Sequence, residues 1–238
     1  SFTSHEVTSY IKTTRGVHAV DIDGDGDGDV IGTSVTNDEV ILYTNDGSET
    51  FTSSNAGACD GATGVYAVDI DGDGDIDILA ACSMDDIVKL FKNDGSQGFT
   101  QSNIAAGDGT VSVYAVDIDG DGDIDVLSAS EGAWNSQLGT HSPGSGEITW
   151  HENDGSESFT KHTIQSVTGK KVLAGDIDGD GNIDILGSAY VEKTISWFKN
   201  QMSLEYGPEI TGTGASSKKS KDCVNCPEGF QNEHRNAT

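Results

Sequence analysis

Residues 69–77 read Asp69-Ile70-Asp71-Gly72-Asp73-Gly74-Asp75-Ile76-Asp77, and their spacing decides the fold. The stretch returns at residues 21–29, 117–125 and 176–184. Counted from its first residue, every copy has Asp at positions 1, 3, 5 and 9 and Gly at position 6. Those residues are Asp21, Asp23, Asp25 and Asp29; Asp69, Asp71, Asp73 and Asp77; Asp117, Asp119, Asp121 and Asp125; and Asp176, Asp178, Asp180 and Asp184. Position 7 is Asp27, Asp75, Asp123 and Asn182.

Carboxylates crowded into a tight loop repel one another, and a hard divalent cation removes that cost. Ca²⁺ takes about six to eight oxygens at about 2.3–2.6 Å in an adaptable geometry, whereas Mg²⁺ gives up its water shell reluctantly. The spacing therefore predicts about four Ca²⁺, one per loop. Asp at positions 1, 3, 5 and 9 would bind through side chains. Position 7 would bind through its backbone carbonyl, since it tolerates Asn182. A merely solvated acidic turn would not repeat the same four positions four times. The loop starts like an EF-hand but has no Glu at position 12, where Ala80, Ser128 and Gly187 stand. Its flanks, Val-Tyr-Ala-Val and Ile-Leu-Ala-Ala, read as short strands rather than helices.

The loops are 48, 48 and 59 residues apart, so the third repeat carries an insertion, roughly residues 131–146. The second repeat predicts strands at 65–68, 78–82, 87–92 and 98–104. A hairpin turn at Asn93-Asp94-Gly95 joins the last two, since these residue types accept positive φ at low cost. The same turn stands at 45–47 and 153–155, and Phe-Thr follows it at 51–52, 99–100 and 159–160. Apolar residues alternate on the third strand: Val40 and Leu42, Val88 and Leu90, Ile148 and Trp150, Ile195 and Trp197. That period predicts strands packed between neighbouring sheets, with both Trp in the core.

Four-stranded units at this period are the signature of a β-propeller. The repeats resemble FG-GAP/VCBS-type repeats, including the calcium-binding blades of integrin α-subunit propellers. The resemblance rests on Asp-x-Asp-Gly-Asp-Gly-x-x-Asp, on the Trp197-Phe198-Lys199-Asn200 type of third strand, and on Phe-Thr after the turn. It covers about residues 1–200. It implies an all-β, calcium-stabilised propeller in a secreted, extracellular or cell-surface setting, and it supports the backbone role of position 7.

The ends bear on blade number. Ser1-Phe2-Thr3-Ser4-His5-Glu6-Val7 matches a fourth strand such as Ser158–Ile164, while the fourth repeat loses its Asp-Gly turn after Asn200. The N-terminal strand is expected to complete that last blade and close a four-bladed ring. The competing reading takes residues 204–210, with Tyr206 in the Phe position, as the fourth strand of a larger propeller. Residues 201–221 read as a linker. Residues 222–238, with Cys223-Val-Asn-Cys226-Pro-Glu-Gly-Phe230, look like the start of an extracellular cysteine-rich module. Asn236-Ala237-Thr238 is a glycosylation sequon. Cys59 and Cys82 flank the second metal loop at strand ends, so a disulfide is expected there, in an oxidising compartment.

Composition narrows the function. The 238 residues carry a net charge of −27, with nearly half of the 40 acidic residues in the four loops. That field excludes nucleic acid as a partner. No run of 18 apolar residues offers a membrane helix. The chain opens on Ser1 rather than Met, as a mature product or a fragment would. The six His are scattered, and no nucleophile elbow, zinc motif or phosphate loop occurs. The expected function is a non-catalytic scaffold for adhesion or assembly, acting on extracellular proteins or on copies of itself. Trp134 and His141 in the insertion are the expected contacts. Glycan binding through the same loop is the alternative, and a polysaccharide lyase or hydrolase a weaker one.

Overall fold

The computed structural model describes residues 2–8, 12–137 and 139–202. Among them strand is the only regular structure, and no helix is long and apolar enough to cross a membrane. The first sheet joins β1 (Thr14–Val20), β2 (Asp29–Ser34), β3 (Glu39–Asn45) and β4 (Phe51–Ala58). The second joins β5 (Ala62–Val68), β6 (Asp77–Cys82), β7 (Ile87–Asn93) and β8 (Phe99–Ala105). The third joins β9 (Thr110–Val116), β10 (Asp125–Ser130), β13 (Glu147–Asn153) and β14 (Phe159–Gln165). Within the insertion, β11 (Trp134–Asn135) and β12 (Thr140–His141) form a small hairpin. The fourth sheet has three described strands, β15 (Gly169–Gly175), β16 (Asp184–Ala189) and β17 (Thr194–Phe198). All pairings are antiparallel meanders, as the short turns require.

The sheets stack as blades around their first strands: β1 packs on β5, β5 on β9 and β9 on β15. No comparable contact joins β15 to β1. Between the first and second blades, Ile31, Val40 and Leu42 meet Ile78, Ala80 and Phe91. Two further clusters repeat the arrangement, and the edge aromatics Phe99 and Phe159 cap the first and second of the three. Each fully buried Leu or Ile here contributes roughly 1.5–3 kcal/mol over exposure. The core is therefore distributed between blades, and a blade's outward face depends on its successor.

That dependence corrects one expectation. Val40, Leu42, Val88, Leu90, Ile148 and Trp150 are buried as expected. Ile195 is 82% exposed and Trp197 46%, because no following blade covers β17 among the described residues. The closing strand is not seen there either. Residues 2–8 form no strand, and His5 Nδ1 lies 3.3 Å from Glu49 Oε2 in the first blade's hairpin. Among the described residues the segment's strand-like sequence therefore pairs with no sheet. Residues 204–210, the linker and the cysteine-rich segment with Cys223, Cys226 and Asn236 lie outside the described residues.

The disulfide expectation is borne out. Cys59 and Cys82 are bonded, with Cα atoms 5.2 Å apart, and tie the connection between the first two blades to β6. The turn expectation needs a change. In the Asn-Asp-Gly hairpins the positive φ falls on Gly47, Gly95 and Gly155 and on Glu49, Gln97 and Glu157. Asn and Asp instead accept backbone N–H bonds, as when Asp94 Oδ1 takes Ser96 N at 2.9 Å.

Candidate metal centres

Each metal loop links the first strand of a blade to its second. Its glycines shape it: Gly72 at position 4 has φ 73° and Gly74 at position 6 has φ 97°, with equivalents in the other copies. An L side chain is strained at both, so position 4 matters as much as position 6. Those turns aim two N–H groups at the first carboxylate. Gly72 N donates to Asp69 Oδ1 at 2.8 Å, and Gly74 N to Asp69 Oδ2 at 2.9 Å. Asp21, Asp117 and Asp176 are held the same way.

The carboxylate at position 9 anchors the loop in the blade. Asp77 is fully buried and accepts Ile70 N at 3.1 Å and Asn93 N at 2.8 Å. Asp29, Asp125 and Asp184 repeat both bonds. In all four loops, oxygens from positions 1, 3 and 9 lie within 4.8 Å of one another. Two oxygens bound to one Ca²⁺ at about 2.3–2.6 Å can be no more than about 5 Å apart, so the trios fit that ion. The trios are Asp21, Asp23 and Asp29; Asp69, Asp71 and Asp77; Asp117, Asp119 and Asp125; and Asp176, Asp178 and Asp184.

Positions 5 and 7 stand apart from these trios. Asp25, Asp73, Asp121 and Asp180 each accept the N–H two residues on, for instance Asp75 N to Asp73 Oδ1 at 2.9 Å. At position 7 the carboxylate leans over the hairpin glycine of its own blade. A Cβ added to Gly47, Gly95 or Gly155 would meet Asp27, Asp75 or Asp123 Oδ2 at 2.5–2.7 Å.

The charge in these loops has visible effects. Burial, outweighing the backbone bonds, pushes the Asp77 and Asp125 carboxyls up to about 6. Burial also raises Asp117 and Asp119. Two lysines lean in: Lys92 on Asp71 and Glu157, and Lys199 on Asp178 and Asp180.

One set of supporting residues was missed in the sequence. Asn93 donates its backbone N–H to Asp77 and its Nδ2 to Ile76 O at 3.1 Å, while its Oδ1 accepts Gly95 N at 3.2 Å. It therefore ties the metal loop to the hairpin. Asn153 and Asn200 make the corresponding bonds. The signal was present: Asn200 persists where the Asp-Gly of the turn is lost.

Trp134 and His141 face each other across the β11–β12 hairpin, rings 5.1 Å apart and edge-on. Trp134 is 60% exposed. His141 Nε2 lies 3.1 Å from Glu131 Oε2, and its Nδ1 2.8 Å from Gly132 O. The two residues are brought together, and neither belongs to an acid trio.

The FG-GAP-like repeat profile matches residues 21–80 and again 69–128. No curated protein sequence matches the chain. Among solved structures, a Bacteroides uniformis protein described as a 6-phosphogluconolactonase is similar at 14% identity and a TM-score of 0.51. That likeness covers 79% of this chain and 51% of the other, and it concerns the fold alone. A protein described as a gluconolactonase is similar at 13% identity and a TM-score of 0.49, over 81% of this chain and 61% of its own. An Agrocybe aegerita lectin that recognises non-reducing terminal N-acetylglucosamine has 19% identity and a TM-score of 0.45, over 74% and 48%. The chain thus spans about half to three fifths of these structures. With the loop, the third-strand Asn and the meander sheets all in register, residues 21–128 match FG-GAP-like repeats, and the described sheets have the form of propeller blades.

Proposed function

We propose that the chain is a calcium-stabilised, non-catalytic extracellular scaffold that acts through protein–protein contact. The observation that carries this is the fourfold acid trio, identical in composition, whose first and ninth carboxylates accept the same pairs of backbone N–H bonds in every blade. A catalytic metal is normally singular and keeps an open position among convergent acids and bases, whereas a repeated one braces the repeat. Four Ca²⁺ would be held by side chains at positions 1, 3, 5 and 9, with the carbonyls of Asp27, Asp75, Asp123 and Asn182 completing the loops. The bound ion supplies positive charge that lets these carboxylates share one loop.

The remaining chemistry supports a binding role. The Ser128–His151 contact, 3.0 Å from Oγ to Nε2, also includes Thr149 and is sealed in the core. Burial drives His151 down to about 4, which keeps it neutral. The disulfide agrees with an oxidising, extracellular compartment. Exposed loops on a rigid frame commonly carry recognition, and the Trp134 hairpin is such a loop. Its open indole also favours the second reading, glycan binding.

The test is the native mass of the full chain in millimolar calcium, compared with Trp134→Ala, beside a glycan array. Scaffold function predicts a defined assembly that the variant weakens while keeping its calcium. An unaffected assembly with lost glycan binding favours the lectin reading. Turnover of a polysaccharide by the calcium-loaded protein would overturn both.

A further inference from the structure

The first strands of the four blades surround a groove of about 350 Å³, lined by Arg15, Gly16, Val17, Thr63, Gly64, Val65, Val111, Lys170 and Lys171. Three cations line it and no carboxylate does, in a chain whose net charge is −27. The repeat makes the placement informative. Arg15 and Lys170 occupy the position held by Thr63 and Val111 in the middle blades, and Lys171 the position of Gly16, Gly64 and Ser112. The cations are thus departures from the repeat, confined to the first and last inner strands and brought into one groove by the fold.

Their partners separate them from the other lysines. Lys89, Lys92, Lys161 and Lys199 each pair with carboxylates on the blades. Lys170 pairs with Glu131, whose other oxygen meets His141, and His141 carries the exposed Trp134 beside it. Arg15 and Lys171 line the groove as exposed cations. From Arg15 to the first metal loop at Asp21 the strand runs about 20 Å at about 3.3 Å per residue. That exceeds the Debye length of about 8 Å at physiological ionic strength, so the groove keeps a positive local field despite the acidic loops.

We propose that this groove between the first strands binds an anionic saccharide, sulfated or uronic, with Arg15 and Lys171 on its charged groups and Trp134, linked to Lys170 through Glu131 and His141, stacking a sugar ring further along the chain of the ligand. The volume lies in the range of small-ligand sites, about 300–1,000 Å³. The glycines help form it: a Cβ on Gly16 would meet Thr63 O at 2.4 Å and one on Gly64 would meet Val111 O at 2.9 Å, so the inner strands approach backbone to backbone. Trp134 is joined to the groove's Lys170 through Glu131 and His141, and its exposed indole favours a sugar over an acidic peptide, since an indole face suits the apolar face of a pyranose. This inference does not rest on the scaffold reading.

The experiment is binding of dextran sulfate to the calcium-loaded full chain, by calorimetry at fixed ionic strength, with neutral dextran and polyglutamate of matched length alongside. The expected result is binding of dextran sulfate alone, weakened at least about tenfold in Arg15→Ala/Lys171→Ala and more mildly in Trp134→Ala, with melting temperature and calcium content unchanged. A second variant, Lys193→Ala, removes an exposed cation outside the groove and should leave binding intact. Undiminished binding in the Arg15/Lys171 variant, or none by the parent chain, overturns the site. Equal binding of polyglutamate, insensitive to Trp134→Ala, overturns the saccharide assignment. Failure of the Trp134-dependent assembly alone would instead count against the scaffold reading.

Discussion

At the scale of single residues, the nine-residue loop separates roles that its run of Asp conceals. Asp77 uses both oxygens to accept backbone N–H bonds and still belongs to the acid trio. Asp77→Asn would place an amide NH₂ against one of those donors and remove a charge from the trio. A buried donor left unpaired costs about 1–3 kcal/mol. Asp77→Asn should lower calcium stoichiometry by one and lower the melting temperature. Asp75→Asn should do neither, since the fourth loop already carries Asn182 there; native mass spectrometry with thermal melts reads both. The pH dependence follows from Asp77 and Asp125, whose folded values of about 6 exceed the ordinary 3.8. A raised carboxyl favours the folded state at low pH, and that contribution is lost as pH rises through about 6. Between pH 7 and pH 5 the calcium-free parent should therefore gain more melting temperature, or lose less, than Asp77→Asn/Asp125→Asn, a comparison in which the opposing effect of buried His151 cancels. Protons and calcium compete for the same oxygens, so calcium affinity should fall from pH 7 to pH 5, as isothermal titration at the two pH values would show.

At the scale of strands and loops, the ladder of each complete blade was legible because its signals are local. Alternating apolar residues, the Asn-Asp-Gly turn and the loop glycines fix three four-stranded sheets to within a few residues. Trp197 was misread because burial on an outward face is set by the next blade, which a period-two pattern does not encode. The insertion read as plain loop, yet Trp134 and His141 pair across a hairpin whose strands are two residues each, too short to leave a pattern. Asn93 was seen as a turn former because its bond to Asp77 spans 16 residues. Asn93→Ala removes four side-chain bonds from a buried position and should cost about 1–3 kcal/mol, measured by urea unfolding in calcium. Replacing Cys59 and Cys82 together by Ser opens a loop of 23 residues and should cost about 3 kcal/mol in the same assay.

For the whole molecule, the core lies between blades and the acids lie in the loops that begin each second strand. Folding must bring those carboxylates together in four places, so cation binding and blade formation should be coupled. A ligand that binds only the folded state stabilises it by about 1.4 kcal/mol per site at tenfold excess over Kd. Four such sites should raise the melting temperature by on the order of 10 °C for a domain of this size. The repeat architecture was legible from sequence because its period is carried by the loops. Ring closure was not, since it depends on which surface the chain ends meet. The most direct test is a calcium titration of chelator-stripped full chain, following bound ions by native mass spectrometry and melting by differential scanning calorimetry. The account predicts four Ca²⁺ per chain and a melting temperature that climbs with occupancy. Fewer than four ions at millimolar calcium, or a melting temperature indifferent to calcium, would contradict it.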